Sequence, residues 1–442
     1  MNELEGLPAG PDAFILLGGF GVVCRNPLYL AELKARNLRI LLITPGKWRD
    51  EALACIRDKD HPASAIDDIA FVDGSMQDEG SFTAGVIARA QQWRTRYSVV
   101  GVYAVGEILV EQTGILADAL GLASPGVRAT KVCRSKYLQR WYLDEWSPHS
   151  TVVPAAERQS VDPAAIPLPA VVKPAGRHSS SGVVTVTSAG ELGELLDSYP
   201  ATENLLIEEK VVGQEFSVET LVQRGRAVFS SVTKKETTES SSRTFVELSH
   251  SVPSALSDEE KLLLTANDKM LEQLEFSDGI AHAEWRVTSD RRPRLMEVAA
   301  RTPGDGLLVL YQLATGVPLE PEIIKVALQE PASYPKPHRF TRQVYLEHTA
   351  GVLEDVEFDW PGVGLQWLGE SGLWPHIAPG APDDPATVRA VFVLKDRGST
   401  LGPLRDSDDR AVTFFIDAPS PEELDELEQA VRQALHIHIS PA

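Results

Sequence analysis

Two strand-like runs decide the fold of this 442-residue chain: His282–Val287 (HAEWRV) and Leu295–Arg301 (LMEVAAR). The turn at Ser289–Asp290 separates them, so we expect a hairpin that brings Glu284 and Glu297 together. An ionised carboxylate inside such an apolar run is costly unless something compensates it. Paired carboxylates beside phosphate oxygens commonly hold magnesium in proteins. The alternative interpretation is a cross-strand pair of a glutamate with an arginine on a wet surface.

A second segment upstream has the composition of a phosphate site. Pro169–Pro174 (PAVVKP) is an apolar strand that ends at Lys173, and the glycine- and serine-rich turn Gly176–Val183 follows it. Backbone N–H groups and hydroxyls of such a turn can fold over phosphates, and a lysine adds a point charge. The alternative is a surface hairpin whose lysine extends into solvent.

A third segment, Leu205–Glu219, follows the pattern strand, connector, strand. Its glutamates Glu208, Glu209 and Glu215 can surround a nucleoside, because carboxylates accept hydrogen bonds from ribose hydroxyls and an exocyclic amine. Exposed acidic hairpins are the usual setting of such charges, so a solvated hairpin is the alternative.

The first hundred residues alternate strand-like and helix-like segments between Ala13 and Ala104, which predicts a parallel sheet with helices on its faces. Gly19 and Gly21 follow the first strand, but Cys24 occupies the third position of a dinucleotide fingerprint. A tight turn is therefore favoured over a nucleotide clamp there. Turn residues at 120–126 and prolines within 331–338 predict two domain boundaries.

Composition restricts the class of partner. Asp and Glu number 63 against 42 Lys and Arg, a net charge of −21, which disfavours nucleic acid and anionic membranes as partners. Cys24, Cys55 and Cys133 are too few and too scattered to predict a disulfide framework or a zinc site. The polar start, Met1–Asp12, lacks the features of a signal peptide, so we expect a cytoplasmic protein.

Taken in their order along the chain, the three segments resemble the ATP-grasp superfamily over about Leu120 to Leu328. The resemblance is closest to its L-amino acid and dipeptide ligases, such as the bacilysin-type alanine–anticapsin ligase and related enzymes of natural-product pathways. It implies an α/β fold with α+β lobes: an N-terminal parallel-sheet domain (1–126), a two-lobed ATP-grasp domain (127–335, with a lid at about 135–207) and a C-terminal α+β lobe (336–442).

The resemblance also implies roles for individual residues. The residues it assigns to the nucleotide are Lys136, Lys173, Ser179, Ser180, Ser181, Gly182, Glu208, Glu209, Val211 and Glu215. It assigns magnesium to Glu284 and Glu297, and the transferred phosphoryl group to Arg301. Two positions depart from the pattern: Ser135 replaces the aspartate that usually precedes the first lysine, and Ala299 replaces an asparagine ligand. Magnesium would then rely on the two glutamates, phosphate oxygens and water.

The segment Glu247–Pro253 resembles one that faces the substrates of these ligases. We interpret Glu247 as a candidate for the substrate ammonium, and His250 as a candidate near the acyl phosphate or the incoming amine; a structural role is open for both. Lys234 and Lys235 can point inward, but we assign them no role. Asp305 has the position of a helix cap.

The resemblance implies an ATP-dependent carboxylate–amine ligase that forms a dipeptide-like amide bond through an acyl phosphate and releases ADP and phosphate. The predicted cofactors are ATP and Mg²⁺ (or Mn²⁺). The predicted partners are small-molecule carboxylate and amine substrates, in particular amino acids. Because dimers are common among similar enzymes, a homodimer is also compatible. The alternatives are a carboxylase-type ATP-grasp enzyme and a nucleotide-binding protein without turnover. This sequence contains no biotin-attachment Met-Lys-Met, which argues against a fused carboxylase.

Overall fold

The computed structural model describes residues 10–177, 181–240, 242–255, 257–369 and 373–441. Within these residues the chain forms four β-sheets with helices packed against them. The first sheet is wholly parallel and belongs to the N-terminal part. A small antiparallel sheet, a nine-stranded sheet and a three-stranded sheet follow.

The N-terminal sheet has the strand order β3-β2-β1-β4. Its strands are β1 (Asp12–Gly18), β2 (Arg39–Pro45), β3 (Asp68–Val72) and β4 (Ser98–Val105). The helices that accompany it are α1 (Phe20–Arg25), α2 (Pro27–Ala35), α3 (Arg49–Cys55), α4 (Thr83–Arg94) and α5 (Val110–Leu120). Strand β1 is buried on both faces: Phe14 and Leu16 join one apolar cluster, whereas Ile15 and Leu17 join another. This explains its unbroken apolar sequence, which parallel strands covered on both sides require.

Two short helices lead into the small antiparallel sheet, whose strand order is β5-β8-β6-β7. The helices are α6 (Val127–Arg134) and α7 (Lys136–Tyr142), and the strands are β5 (Ser150–Val153), β6 (Ala170–Pro174), β7 (Val184–Val186) and β8 (Leu205–Glu209). Helix α8 (Ala189–Ser198) packs Leu192 and Leu196 into the apolar core of this lobe. Ser135 accepts a hydrogen bond from the Leu138 N–H and so begins α7.

The remaining elements build the large and the three-stranded sheets. The next segment contains β9 (Gln214–Gln223), β10 (Arg226–Thr237), β11 (Glu247–Val252), α9 (Ser257–Gln273), β12 (Gly279–Val287), β13 (Pro293–Ala299), α10 (Leu307–Thr315) and α11 (Glu320–Ala327). The last segment contains β14 (Phe340–Tyr345), β15 (Gly351–Phe358), β16 (Leu365–Trp367), β17 (Thr387–Val393), β18 (Thr400–Leu401), β19 (Val412–Ala418), α12 (Pro421–Ala434) and β20 (Leu435–Ser440).

The nine-stranded sheet has the order β13-β12-β9-β10-β11-β14-β19-β17-β16. Strand β14 of the predicted C-terminal lobe pairs with β11 of the predicted ATP-grasp domain, so one continuous sheet spans the predicted boundary near residue 335. Strands β18, β15 and β20 form the three-stranded sheet. The expected hairpin is present: β12 and β13 are antiparallel neighbours, and their register places Glu284 opposite Glu297.

In the described part of the chain, no single helix is long and apolar enough to cross a membrane. Helices α10 and α11 reach the necessary length and composition only together, and they are bent by 104° relative to each other.

A buried ion pair joins the C-terminal strands, and it generates a first prediction. Asp417 and Arg339 have 0% side-chain exposure and lie 2.7 Å apart, and Arg389 also lies 2.7 Å from Asp417. Asp417→Asn leaves the arginine charge buried and uncompensated, which costs roughly 3–5 kcal/mol of folding stability. Thermal unfolding should show a clearly lower midpoint. Asp425→Asn is the matched control, because Asp425 pairs with Arg342 at 61% exposure; equal midpoints for both variants would contradict the prediction.

Candidate active site

A cleft of about 1070 Å³ lies between the small antiparallel sheet and the nine-stranded sheet, and the ends of α1 and β4 close one side of it. Most predicted site residues line this one cleft: Lys136, Lys173, Ser181, Glu208, Glu209, Val211, Glu215, Glu247, His250, Glu284, Glu297 and Arg301. Gly182 follows Ser181 in the left-handed region, at φ +74°, and does not line the cleft. Ser179 and Ser180 lie outside the described residues.

The two facing carboxylates of β12 and β13 each bind a lysine. Lys235 Nζ lies 2.6 Å from Glu284 Oε1, and Lys136 Nζ lies 3.0 Å from Glu297 Oε1. Burial alone would raise the pKa of Glu284, but Lys235 and His282 outweigh it and hold that pKa well below its ordinary value. Glu284 is therefore held in the charged form that a cation site requires.

Lys235 is the charged residue that sequence reasoning left without a role. Its side chain is 2% exposed, and its ammonium also lies 3.3 Å from Glu215 and 3.4 Å from Glu247. Burial would lower the pKa of Lys235, but the surrounding carboxylates outweigh it and raise the pKa well above its ordinary value. The only sequence signal is period-two alternation along β10, which separates Lys235 from the more exposed Lys234.

The predicted phosphate lysine Lys173 lies in a buried cluster at the end of β6. Its Nζ is 2.6 Å from Glu208 Oε2, and Arg140 Nε donates to Glu208 Oε1 at 2.5 Å. Burial lowers the pKa of Lys173, whereas Arg140 and Lys173 hold the pKa of Glu208 below its ordinary value against burial. Glu208 was expected near an adenine amine; here both of its oxygens are already bound to cations. Arg140 is a contributor that the sequence analysis missed.

The connector between β8 and β9 is held by Arg286, which the sequence analysis quoted but gave no role. Arg286 Nη1 donates to the Val211 carbonyl at 2.9 Å, and Nη2 lies 2.7 Å from both Glu215 and Glu239. Glu209 is exposed beside this connector and accepts from the His149 N–H at 3.2 Å. The predicted adenine and ribose residues are thus brought to one edge of the cleft.

Arg301 connects the cleft to the N-terminal sheet. Its Nε donates to Glu107, which follows β4, and Arg134 Nη1 donates to the other Glu107 oxygen at 2.8 Å. Burial would raise the pKa of Glu107, but Arg301 and Arg134 lower it to about 2. Glu107 had no distinguishing sequence context, because its partners are 27 and 194 residues away.

His250 lies in a buried cluster with Asp305 and Arg410. Its Nε2 is 2.8 Å from Asp305 Oδ2, and Arg410 lies 2.6 Å from Asp305 Oδ1. The expectation that Asp305 caps a helix is wrong: Gly306 has the N-cap position of α10, and no side chain caps it. Asp305 has a left-handed backbone (φ +52°) and binds a histidine and an arginine instead. Glu247 accepts from Ser407 Oγ at 3.1 Å beside this cluster.

Residues 166–308 match the family model described as the ATP-grasp domain. The chain contains an ATP-grasp domain. No curated protein matches the chain by sequence.

Solved structures extend the likeness of the ATP-grasp domain to the whole chain. The L-amino acid ligase from Bacillus licheniformis superimposes with a TM-score of 0.71 at 19% identity, covering 98% of this chain and 100% of that one. Phosphoribosylglycinamide synthetase from Anaerococcus prevotii gives 0.64 at 15% identity, covering 97% and 100%. The biotin carboxylase domain of the Hydrogenobacter thermophilus 2-oxoglutarate carboxylase, solved with MgADP, ADP and bicarbonate, gives 0.59 at 12% identity, covering 96% and 90%. The predicted α/β ATP-grasp fold is confirmed.

The ATP-grasp cleft offers two carboxylates as candidate metal ligands. Among the described residues, no group of three His, Cys, Asp or Glu side chains can hold a metal ion by itself. In Glu284 and Glu297, however, Oε1 accepts a hydrogen bond from a lysine, whereas Oε2 makes no hydrogen bond with another described residue. Two carboxylates at paired positions of one hairpin fit Mg²⁺, which uses one or two carboxylates and takes its other ligands from phosphates and water.

The buried lysine of this cleft generates a second prediction. Lys235→Met leaves Glu284 and its neighbouring carboxylates without their shared cation, so stability should fall by roughly 3–5 kcal/mol at neutral pH. The folded-state pKa of Glu284 lies well below its ordinary 4.5, so its ionised form stabilises the fold above that pH and the contribution is lost as pH falls. The gap in unfolding midpoint between wild type and variant should therefore be large at pH 7 and shrink only as the pH falls below about 4.5.

Lys234→Met is the matched control for this experiment, because Lys234 lies on the opposite face of β10 and pairs with exposed Glu236 at 3.3 Å. An exposed pair of this kind contributes about 0–1 kcal/mol. A gap that does not change with pH, or one of the same size in both variants, would refute the assignment of Lys235.

Proposed function

We propose that this protein is an ATP-dependent ligase that joins a carboxylate to an amine through an acyl phosphate, with ADP and phosphate as products. The observation that supports it most directly is the meeting of Glu284 and Glu297 with the cations of Lys136, Lys173 and Arg301 in one cleft. ATP-grasp enzymes use ATP with Mg²⁺ or Mn²⁺. This set of charges suits the polyphosphate and metal of that substrate.

The nucleotide would lie along the cleft edge formed by the β8–β9 connector, with Glu209, Val211 and Glu215 toward the nucleoside. Lys136 and Lys173 would contact its phosphates, together with the loop that contains Ser181. Glu284 and Glu297 would hold Mg²⁺, which supplies neutralisation of phosphate charge when bound.

In the first step the substrate carboxylate attacks the γ-phosphorus of ATP, so that a C–O–P linkage forms and ADP leaves. The protein has little covalent chemistry to perform, and positioning and charge neutralisation dominate. Arg301 is already fixed by Glu107, so its guanidinium reaches the cleft with little freedom left to lose. This suits a role beside the transferred phosphoryl group, where preorganised donors are most effective.

In the second step a neutral amine attacks the acyl carbon and the C–O bond to phosphate breaks. The nitrogen loses one proton, which the released phosphate takes up, and the amide results. Glu247 would bind a substrate ammonium. His250, paired with Asp305, lines the same cleft and would lie near the acyl phosphate or the incoming amine. Water must be excluded, because it would hydrolyse the acyl phosphate. The ends of the glycine-serine loop are already anchored for this: Lys136 Nζ donates to the Arg177 carbonyl at 2.9 Å, and the Tyr199 hydroxyl donates to the Gly182 carbonyl at 2.5 Å.

We propose amino acids as the substrates and a dipeptide-like compound as the product. The proposal also includes a role in natural-product synthesis, a cytoplasmic location and a homodimer. The structural likeness to an L-amino acid ligase supports this choice. We also keep the division into 1–126, 127–335 and 336–442 as a proposal. A carboxylase-type reaction is the second candidate, because the biotin carboxylase domain shares the fold.

The reaction predicts which products appear and when. ADP and phosphate should be released only when ATP is mixed with both a carboxylate and an amine substrate, which a coupled ADP assay over pairs of amino acids would detect. Bicarbonate-dependent ADP release would favour the carboxylase alternative. Formation of AMP and pyrophosphate would rule out the acyl-phosphate scheme.

Removing one metal carboxylate gives a fourth prediction. Glu297→Gln should reduce turnover to background, because an amide cannot replace the negative charge that Mg²⁺ binds. The variant should still fold cooperatively, with a lower unfolding midpoint, because buried Lys136 keeps the Arg177 carbonyl but loses the Glu297 carboxylate. Glu272→Gln, at an exposed position of helix α9, is the control and should retain full activity. Normal turnover in Glu297→Gln would disprove the metal assignment.

A further inference from the structure

A fully buried carboxylate lies beneath the cleft and takes no part in the scheme above. Glu219 on β9 is 0% exposed. Four side chains bind it: Ser217 Oγ at 2.6 Å, Thr233 Oγ1 at 2.8 Å, the Tyr311 hydroxyl at 2.5 Å and His282 Nδ1 at 2.7 Å. A buried charge is tolerated only when its hydrogen bonds are satisfied, so these partners fix the carboxylate in place.

His282 connects this buried carboxylate to the candidate metal ligand. While its Nδ1 binds Glu219, its Nε2 lies 3.5 Å from Glu284 Oε1. Lys235 Nζ lies 2.6 Å from that same oxygen. Two cationic or polar groups thus hold one oxygen of Glu284, whereas Oε2 makes no hydrogen bond with another described residue.

Stability alone is a weak explanation for this chain of groups. Replacing a buried ion pair by well-packed apolar side chains is often neutral or stabilising. Strand β9 already supplies apolar neighbours on the other face of the sheet, where Phe216, Val218 and Val222 lie in a core cluster. A function in the cleft therefore explains the buried row of Glu219, His282 and Glu284 better than stability does.

We infer that Glu219 and His282 are positioning residues that orient the Glu284 carboxylate so that Oε2 ligates the metal of the bound nucleotide. The inference rests on the proposed function. Groups that hydrogen-bond a metal ligand from behind set its orientation, and losing one typically costs 10–100-fold in metal affinity or activity. Tyr311 extends the same arrangement to helix α10, so the helix, the histidine and the metal carboxylate form one rigid unit.

Binding of Mn²⁺ in place of Mg²⁺ tests the inference without any turnover. We would titrate Mn²⁺ into the protein–ADP complex and follow free Mn²⁺ by electron paramagnetic resonance. His282→Gln should weaken Mn²⁺ binding 10–100-fold. ADP binding in the presence of EDTA should stay within about twofold of wild type, since His282 contacts no predicted nucleotide residue. His338→Gln, at an exposed position, is the control.

Tyr311→Phe provides a second variant should His282→Gln fold poorly. It removes one donor from Glu219 and keeps the packed ring, so the expected loss of Mn²⁺ affinity is smaller and in the same direction. Wild-type Mn²⁺ affinity in a folded His282→Gln or Tyr311→Phe protein would overturn the inference. So would an equal loss of ADP affinity with and without metal, because that outcome indicates general disruption of the cleft. Absence of ADP binding to the wild type would instead refute the proposed function.

Discussion

A lysine ammonium buried among three carboxylates holds the centre of this structure together. Lys235, Glu215, Glu247 and Glu284 come from four adjacent strands, β10, β9, β11 and β12. Shifting any of these strands by one residue would move its charged side chain to the other face of the sheet and leave the remaining charges unpaired. Because an uncompensated buried charge costs several kcal/mol, this cluster specifies the register of the strands that form the cleft floor.

The same principle joins parts of the chain that are far apart in sequence. Glu107 and Arg301 are 194 residues apart and connect the N-terminal sheet to the end of β13. Lys136 bridges Glu297 on the large sheet and the Arg177 carbonyl of the small lobe. Each of these ion pairs lies in the cleft, where the lobes meet. The cleft is therefore the place at which the sheets are fixed relative to each other.

Local pattern was enough to predict the β12–β13 hairpin, the parallel N-terminal strands and the segments that line the cleft. These features depend on apolar runs, turn residues and glycine spacing, which lie within a few positions of one another. The roles of Lys235, Arg286, Glu107 and Asp305 depend on strand order and on partners that are distant in sequence. Asp305 shows the difference: its sequence context suggests a cap, but the arginine that binds it lies 105 residues away. No local pattern carries that information.

Charge balance explains how so acidic a protein can offer a site to a polyanion. A net charge of −21 repels phosphates at long range, so the attraction must be local. Lys136 and Lys173 are paired with Glu297 and Glu208, so neither buried lysine is left without a carboxylate partner. On the proposed function, phosphate oxygens would replace the glutamates as the partners of Lys136 and Lys173. A metal ion would then bind Glu297, the glutamate that lies in the hairpin. Nucleotide and metal would then each strengthen the binding of the other, because either one alone leaves a buried charge without its partner.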